Sequence, residues 1–269
     1  MKKRIRLAVM GTGNLAGILV ENLKKPEYDA FELEAVWGRT LSKAEKLTEG
    51  TQARPVTELR AMLDRKPDFV LEATAPDCLK ETAPQILRAG SSMVILSAGA
   101  LADSAFREQV TEAGKEGNSR MYVASGAIGG FDFLTTAMLM GDLSVTVRNR
   151  KPPAAYENAP FLEGREISQE EAQVLFEGSA REAIRRFPKN VNVAVAAAEA
   201  TVGSDRARVT VVSDPALVRN THTIELSGNF GEASLTMGSN PSAKNPGSSE
   251  MAAYSVLSLL KRMTQVIVF

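Results

Sequence analysis

The sequence is short of the residues that build metal centres and disulfide frameworks. It has one cysteine, Cys78, and one histidine, His222, in 269 residues. A single thiol cannot close an internal disulfide, and no Cys/His cluster supplies ligands for structural zinc, so no metal is expected and a reducing cytoplasm is the predicted compartment. Net charge is lacking too: 32 Lys and Arg balance 32 Asp and Glu, which leaves no excess to draw in nucleic acid or an anionic membrane surface. Long apolar runs are missing. Met93 to Leu96 and Val191 to Ala198 fall well short of the roughly 20 residues that span a bilayer. The basic start, Met1-Lys2-Lys3-Arg4, leads into a stretch broken by Arg6 and ended by glycines, without the apolar region of a secretory signal.

What is present is enough hydrophobic residue, 44% of the chain, to fill the cores of one large domain or two ordinary ones. The first half alternates β-branched runs with amphipathic segments, the pattern of βα units on a parallel sheet. Strands are predicted at Ile5 to Met10, Leu33 to Trp37, Phe69 to Glu72, Met93 to Leu96 and Met121 to Ala124. The helices between them are predicted at Leu15 to Lys24, Ser42 to Leu47, Val56 to Leu63, Leu79 to Ala89 and Ser104 to Lys115. After Ser125 the texture changes. Antiparallel strands are predicted at Leu143 to Asn149, Ala207 to Ser213 and His222 to Gly228, with helices at Glu170 to Phe187 and Asn192 to Ala200. The fold class that follows is α/β: an N-terminal Rossmann-type doubly wound parallel sheet plus a smaller α+β substrate and oligomerisation domain with an open sheet. Residues 1–126 and 241–269 are assigned to the first domain, the last helical pattern packing back on it, and 127–240 to the second. The Asn-, Ser-, Pro- and Gly-rich stretch from Met237 to Ser249 reads as a loop and candidate hinge.

Gly11-Thr12-Gly13-Asn14-Leu15-Ala16 follows the first strand directly and opens a helix. This is G-x-G-x-x-A in the context that gives it meaning. Gly11 permits the tight turn, Gly13 lets the helix N-terminus approach a pyrophosphate, and Ala16 allows close packing of helix on strand. The alternative, a turn that only joins strand to helix, is weakened by the four βα units that follow. Where an NAD-selective protein carries an acid for the ribose 2′-hydroxyl, the chain reads Val36-Trp37-Gly38-Arg39-Thr40. Gly38 leaves room for a 2′-phosphate and Arg39 offers it a cation, so both NAD and NADP are expected; the bland reading of Arg39 is a solvated surface charge. The small-residue loops at Ala75-Pro76 and Ser97-Ala98-Gly99-Ala100 also end strands, where open α/β sheets hold ligands.

Strand alternation places His222 on one face with Ile224 and Leu226. A lone histidine on an apolar face is commonly structural, yet hydride chemistry at an amine or alcohol carbon needs a proton-transferring group, and imidazole is suited to it. Lys151, Lys189 and Lys244 are the lysines that offer a substitute. Asn190 and Asn192 either cap the following helix or bond a carboxamide or carboxylate. Arg148, Arg150 and Lys151 stand before a stiff Pro152-Pro153 and either attract an acidic substrate or face water.

Taken in order, the glycine turn, Ser125-Gly126-Ala127-Ile128-Gly129-Gly130-Phe131-Asp132, Arg150-Lys151-Pro152-Pro153, Pro188-Lys189-Asn190-Val191-Asn192-Val193-Ala194 and the His222 strand resemble the L-aspartate dehydrogenase family over nearly the whole chain. The resemblance implies NAD(P)-dependent oxidation of L-aspartate to iminoaspartate, which hydrolyses to oxaloacetate and ammonia or feeds quinolinate and NAD synthesis. It implies Ala124 and Asn190 as coenzyme contacts, His222 as the active-site residue and the backbone of the Gly11, Gly13, Asn14, Leu15 and Ala16 turn as the holder of the pyrophosphate; Gly38-Arg39 departs from the family's pattern, and Arg39 stands as a coenzyme candidate on its own chemistry. Lys151, Lys189 and Asn192 remain candidates for the substrate. A homodimer with a small dicarboxylate amino acid as substrate is expected. The competing readings are another two-domain reductase, dihydrodipicolinate-reductase-like or homoserine-dehydrogenase-like, and a dinucleotide-binding redox sensor without chemistry.

Overall fold

The computed structural model describes residues 4–157, 159–242 and 249–268. The chain forms two compact units. One comprises the chain up to Ala100, Ser104–Ala124 and the segment from Ala252 onward, and the other Leu101–Asp103 and Ser125–Met251.

The first unit is a six-stranded parallel sheet. Its strands are β1 Ile5–Met10, β2 Phe31–Trp37, β3 Arg54–Val56, β4 Phe69–Glu72, β5 Ser92–Ile95 and β6 Met121–Val123, in the spatial order β3-β2-β1-β4-β5-β6. That order is the doubly wound arrangement with its switch point beside β1. Central strands in such a sheet are covered on both faces, and Leu7 through Met10 are accordingly buried without alternation. The connecting helices are α1 Asn14–Leu23, α2 Leu41–Thr48, α3 Leu59–Leu63, α4 Pro76–Arg88 and α5 Ser104–Glu116.

The C-terminal helix α9, Met251–Thr264, presents Ala253, Val256, Leu257 and Leu260 at helical spacing to the same core as Leu7, Val9, Leu19 and Val20. One predicted boundary is corrected here. Val56 was assigned to a helix running to Leu63, but it ends the edge strand β3, and α3 is a five-residue helix. Pro55 is tolerated in β3 because an edge strand can forgo a ladder N–H.

The second unit is a five-stranded mixed sheet of β7 Ser144–Lys151, β8 Gln173–Ser179, β9 Arg208–Ser213, β10 Asn220–Gly228 and β11 Gly231–Ser239, in the order β11-β10-β7-β9-β8. Its helices are α6 Phe131–Leu139, α7 Ala180–Arg186 and α8 Asn192–Glu199. Two expectations change. β7 and β9 lie parallel, whereas the other pairings are antiparallel, so the sheet is mixed. Glu170 to Phe187 is not one helix: Gln173–Ser179 is a strand, and the helix starts only after Ser179. The start has a clear cause, a capping box in which Ser179 and Glu182 exchange side-chain and backbone hydrogen bonds.

Side-chain alternation gives the sheet one buried face. Along β7 this face carries Val145, Val147, Asn149 and Lys151, and along β10 it carries Leu226, Ile224, His222 and Asn220. Its apolar end packs with Leu134 and Ala137 of α6, Ala183 and Ile184 of α7, and Ala194, Val195 and Ala198 of α8. Its other end is polar, with Asn149, Lys151, Asn220 and His222.

Candidate functional site

In the first unit the carboxyl ends of the parallel strands bring the glycine turn, the Gly38-Arg39 corner and the loops after β4, β5 and β6 to one edge. Gly11 has φ +125°, and a Cβ there would stand 2.4 Å from the Ala73 carbonyl oxygen, so the turn accepts only glycine. Gly13 is the exposed N-cap of α1, makes no side-chain cap bond, and has open space where a Cβ would be. The first N–H groups of a ten-residue helix are thus presented beside a position without a side chain, which fits a pyrophosphate. Asn14 and Leu15 open the helix half-buried, and Ala16 is buried against the sheet. Ala124 lies at the end of β6, its N–H bonded to the Ile95 carbonyl at 3.0 Å.

Gly38 has a different explanation from the one its sequence suggests. A Cβ on it would lie 2.4 Å from the Thr12 methyl, so the missing side chain makes room for the glycine turn itself and not for a 2′-phosphate. Arg39 is exposed at the same corner, close enough to Cys78 for its charge to act on the thiol. Burial raises the Cys78 thiol above its ordinary range; the Thr74 bond and Arg39 lower it.

The sequence reading missed Glu72. It ends β4, is fully buried, and accepts five hydrogen bonds. Oε1 takes the Thr74 N–H at 2.6 Å, the Thr74 hydroxyl at 2.7 Å and the Ser97 hydroxyl at 2.7 Å; Oε2 takes the N–H groups of Leu96 at 3.1 Å and Ser97 at 3.0 Å. One carboxyl group therefore ties the loop after β4 to the loop after β5. The signal available in the sequence was an acid closing an otherwise apolar strand.

In the second unit His222 is 3% exposed, and its Nδ1 lies 2.7 Å from Oδ1 of Asn149, its cross-strand partner. An amide oxygen only accepts, so Nδ1 carries the proton and Nε2 keeps the lone pair. Burial, followed by the nearby Lys151 charge, lowers the His222 pKa to about 3, and the ring is neutral at physiological pH. Lys151, two residues beyond Asn149 on the same face, is lowered to about 8 by burial. The pair is a neutral imidazole beside a cation that can give up its proton near neutrality.

The other candidates separate from this pair. Arg148 and Arg150 alternate onto the opposite face, and Arg150 is engaged by the buried carboxyl group of Asp214. Lys189 is exposed on the turn before α8, and Lys244 lies outside the described residues. Asn190 donates from Nδ2 to the Ala155 carbonyl at 2.8 Å, fixing the segment after β7. Neither asparagine caps α8, whose N-cap is Val191; Asn192 is its first residue. Of the stretch read as a hinge, Met237 to Ser239 belongs to β11, and residues 243–248 lie outside the described residues. Among the described residues no cluster of three or more His, Cys, Asp or Glu can hold a metal ion, and no helix is long and apolar enough to cross a membrane.

Comparison with known proteins divides the chain after Ala124, as the fold does, although the C-terminal match continues into α9 of the first unit. Residues 132–263 match the family described as aspartate dehydrogenase, C-terminal, and residues 11–124 match the homoserine dehydrogenase NAD-binding domain. L-aspartate dehydrogenase of Methanosarcina acetivorans is 38% identical over 263 residues, covering 96% of this chain and 97% of that protein. L-aspartate dehydrogenase 2 of Bordetella bronchiseptica is 37% identical, with 96% of each chain covered. Among solved structures, aspartate dehydrogenase from Thermotoga maritima superposes with a TM-score of 0.76 at 27% identity, covering 99% of this chain and 100% of that one. A hyperthermophilic archaeal homoserine dehydrogenase has a TM-score of 0.60 at 14% identity, over 97% of this chain and 98% of that one, a likeness of fold alone.

Proposed function

The chain belongs to the L-aspartate dehydrogenase family, and we propose that it oxidises L-aspartate to iminoaspartate with NAD or NADP, the same site running in reverse as reductive amination of oxaloacetate. The observation that carries this reading at the level of residues is the buried His222–Asn149 pair beside Lys151, in the unit whose sequence matches the aspartate dehydrogenase C-terminal family. Neither the other reductases nor a non-catalytic sensor is favoured by it.

The nicotinamide supplies the carbon that accepts hydride when the coenzyme is bound. The chain's own contribution is positioning and proton handling. The N–H groups at the start of α1, beside Gly11 and Gly13, hold the pyrophosphate, with Asn14, Leu15 and Ala16 shaping the turn and Ala124 and Asn190 as further coenzyme contacts. His222 receives a proton at Nε2 as the substrate C–N bond becomes an imine, or from the water that then adds to it, and Asn149 holds the ring in the tautomer that makes this possible. A dicarboxylate arriving near His222 opposes the desolvation that depresses its basicity. Lys151 supplies a cation for that substrate, with Asn192 and Lys189 as secondary candidates. A homodimer in the cytoplasm completes the reading, supported by a second-unit sheet that turns an unburied face outward at Thr146, Arg148, Thr221 and Thr223.

The test is nicotinamide absorbance on mixing the protein with L-aspartate and NAD or NADP, and separately oxaloacetate, ammonium and reduced coenzyme. Turnover restricted to aspartate among amino acids is the expected result; dinucleotide binding without turnover of any dicarboxylate overturns it. The coenzyme reading has its own check. Arg39→Ala is expected to raise KM for NADP roughly 10-fold, the size of one charge-assisted contact, and to leave KM for NAD within about 2-fold. Equal values for both coenzymes in parent and variant would remove Arg39 from the site.

A further inference from the structure

The outer face of the second unit's sheet carries charges sorted by strand. Across β11, β10, β7 and β9, one row runs Ser234, Glu225, Thr146 and Arg208, and the next runs Thr236, Thr223, Arg148 and Thr210. On the other side of the first row, Ser227 stands between Glu232 and Ser144. Glu225, Glu232, Arg148 and Arg208 are all exposed. The acids thus occupy β10 and β11, and the arginines occupy β7 and β9. Arg150 shares β7 with Arg148, but Asp214 engages it.

An antiparallel pairing can leave one face to water, so polarity alone says little about a partner. The sorting says more. Sheets gain stability from opposite charges placed directly across neighbouring strands. Here Thr146 separates Glu225 from Arg208, two strand intervals or about 10 Å apart. Arg148 faces a hydroxyl on each side, Thr223 and Thr210. Among the described residues none of these four charged groups is in an ion pair. The acidic half is also concave: a hollow of about 500 Å³ is lined by Glu225, Glu232, Ser144, Thr146, Ser227 and Ser234.

An acidic half beside a basic half on one flat face is complementary to itself under a two-fold rotation. An axis along the strands, midway between β10 and β7, exchanges β10 with β7 and β11 with β9 of a facing copy. Row for row, Arg208 then lies over the partner's Ser234, between the partner's Glu225 and the partner's Glu232. Arg148 lies over the partner's Thr223, one row from the partner's Glu225. No cation is set on a cation and no acid on an acid. Sheets packed face to face stand about 10 Å apart, a gap that a long arginine side chain crosses. The guanidinium fork suits a pair of carboxylates.

Deepening the homodimer of the reading above, on which it rests, we infer that this face docks a second copy of the chain, with Arg208 of each copy seated in the other's acidic hollow. The strands so clamped carry Asn149 and His222 on their opposite side.

The experiment is sedimentation of the full-length parent, of Arg208→Glu, of the double variant Glu225→Arg/Glu232→Arg, and of the two variants mixed in equal amounts. Alone, Arg208→Glu sets acid against acid and the double variant sets cation against cation. Each is expected to raise the dimer dissociation constant by roughly 100-fold, roughly 10-fold for each of the two symmetric contacts. Mixed, they restore opposite charges at both contacts, and dimers are expected to return. Dimers of parental strength in both variants alone would overturn this face while leaving the homodimer standing. Variants that are monomeric alone and stay monomeric when mixed would overturn the pairing of Arg208 with the hollow. A monomeric parent would remove the homodimer and the face together, and leaves aspartate turnover to its own absorbance assay. Should a reversal variant fail to fold, Thr223→Arg, which faces the partner's Arg148, keeps the test: a monomer is expected, and a dimer of parental strength overturns the face.

Discussion

Replacing His222 with alanine is expected to lower kcat for L-aspartate by about 100-fold or more and to leave dinucleotide affinity unchanged. The expectation follows from the ring's surroundings. Asn149 accepts from Nδ1, which fixes the lone pair on Nε2, and burial keeps the ring uncharged, so Nε2 is available to take a proton throughout the neutral range. Asn149→Ala is expected to reproduce part of the loss by freeing the tautomer, whereas Asn149→Asp would hold the same proton on Nδ1. A His222→Ala variant that retains kcat and loses only affinity for aspartate would make the histidine a carboxylate ligand instead of a proton acceptor.

The same burial gives a signature independent of turnover. An imidazole held at about 3 in the folded chain and near its ordinary 6.5 when unfolded binds more protons in the unfolded state between those values. Folding stability therefore falls as pH drops from about 6.5 toward 3, and above 6.5 the histidine contributes no pH dependence. In His222→Gln the melting temperature is expected to fall less steeply over the upper part of that window, from about pH 6.5 to 4.5. Identical acid profiles for parent and variant would show that the ring is more solvated than its position on the buried face implies.

Features confined to one segment were legible in the sequence. Strand β1, the glycine turn after it and the start of α1 are set by a continuous apolar run, two glycines and a small residue, all within residues 5–16. Alternation along Asn220 to Leu226 likewise places His222 on the face it occupies. Features that depend on register between strands distant in sequence were not legible. Asn149 becomes the partner of His222 only because β7 pairs with β10 in one register, and Ser213 reaches Lys151 through the parallel β7–β9 contact. β8 was hidden by its neighbour: Glu177, the one charged residue of Gln173–Ser179, blends with the helical spacing of Ala180–Arg186, although Ser179 and Glu182 mark the break. Gly38 shows a local reading that failed for a tertiary reason, since the Thr12 methyl occupies the space its missing side chain leaves.

Glu72→Ala is expected to cost about 3–5 kcal/mol of stability, because it strands three backbone N–H groups and two hydroxyls, all buried or half-buried, around a new cavity, each unsatisfied donor costing about 1–3 kcal/mol before relaxation. For a protein of this size that corresponds to a fall of roughly 10 °C in melting temperature. The consequence extends to the coenzyme edge, because Glu72 joins the loops after β4 and β5, and the first of these loops supplies the Ala73 carbonyl against which Gly11 packs. Glu72→Gln separates the two effects. It keeps the volume but replaces one acceptor oxygen with an NH2 group, which must face donors whichever way the amide turns. The Gln variant is therefore expected to stay folded, with a smaller fall in melting temperature and a weaker Kd for NAD by roughly 10-fold, the equivalent of one or two backbone bonds lost from the loops. A Gln variant with the parent's Kd would confine Glu72 to fold stability, and an Ala variant with the parent's melting temperature would remove it from both roles.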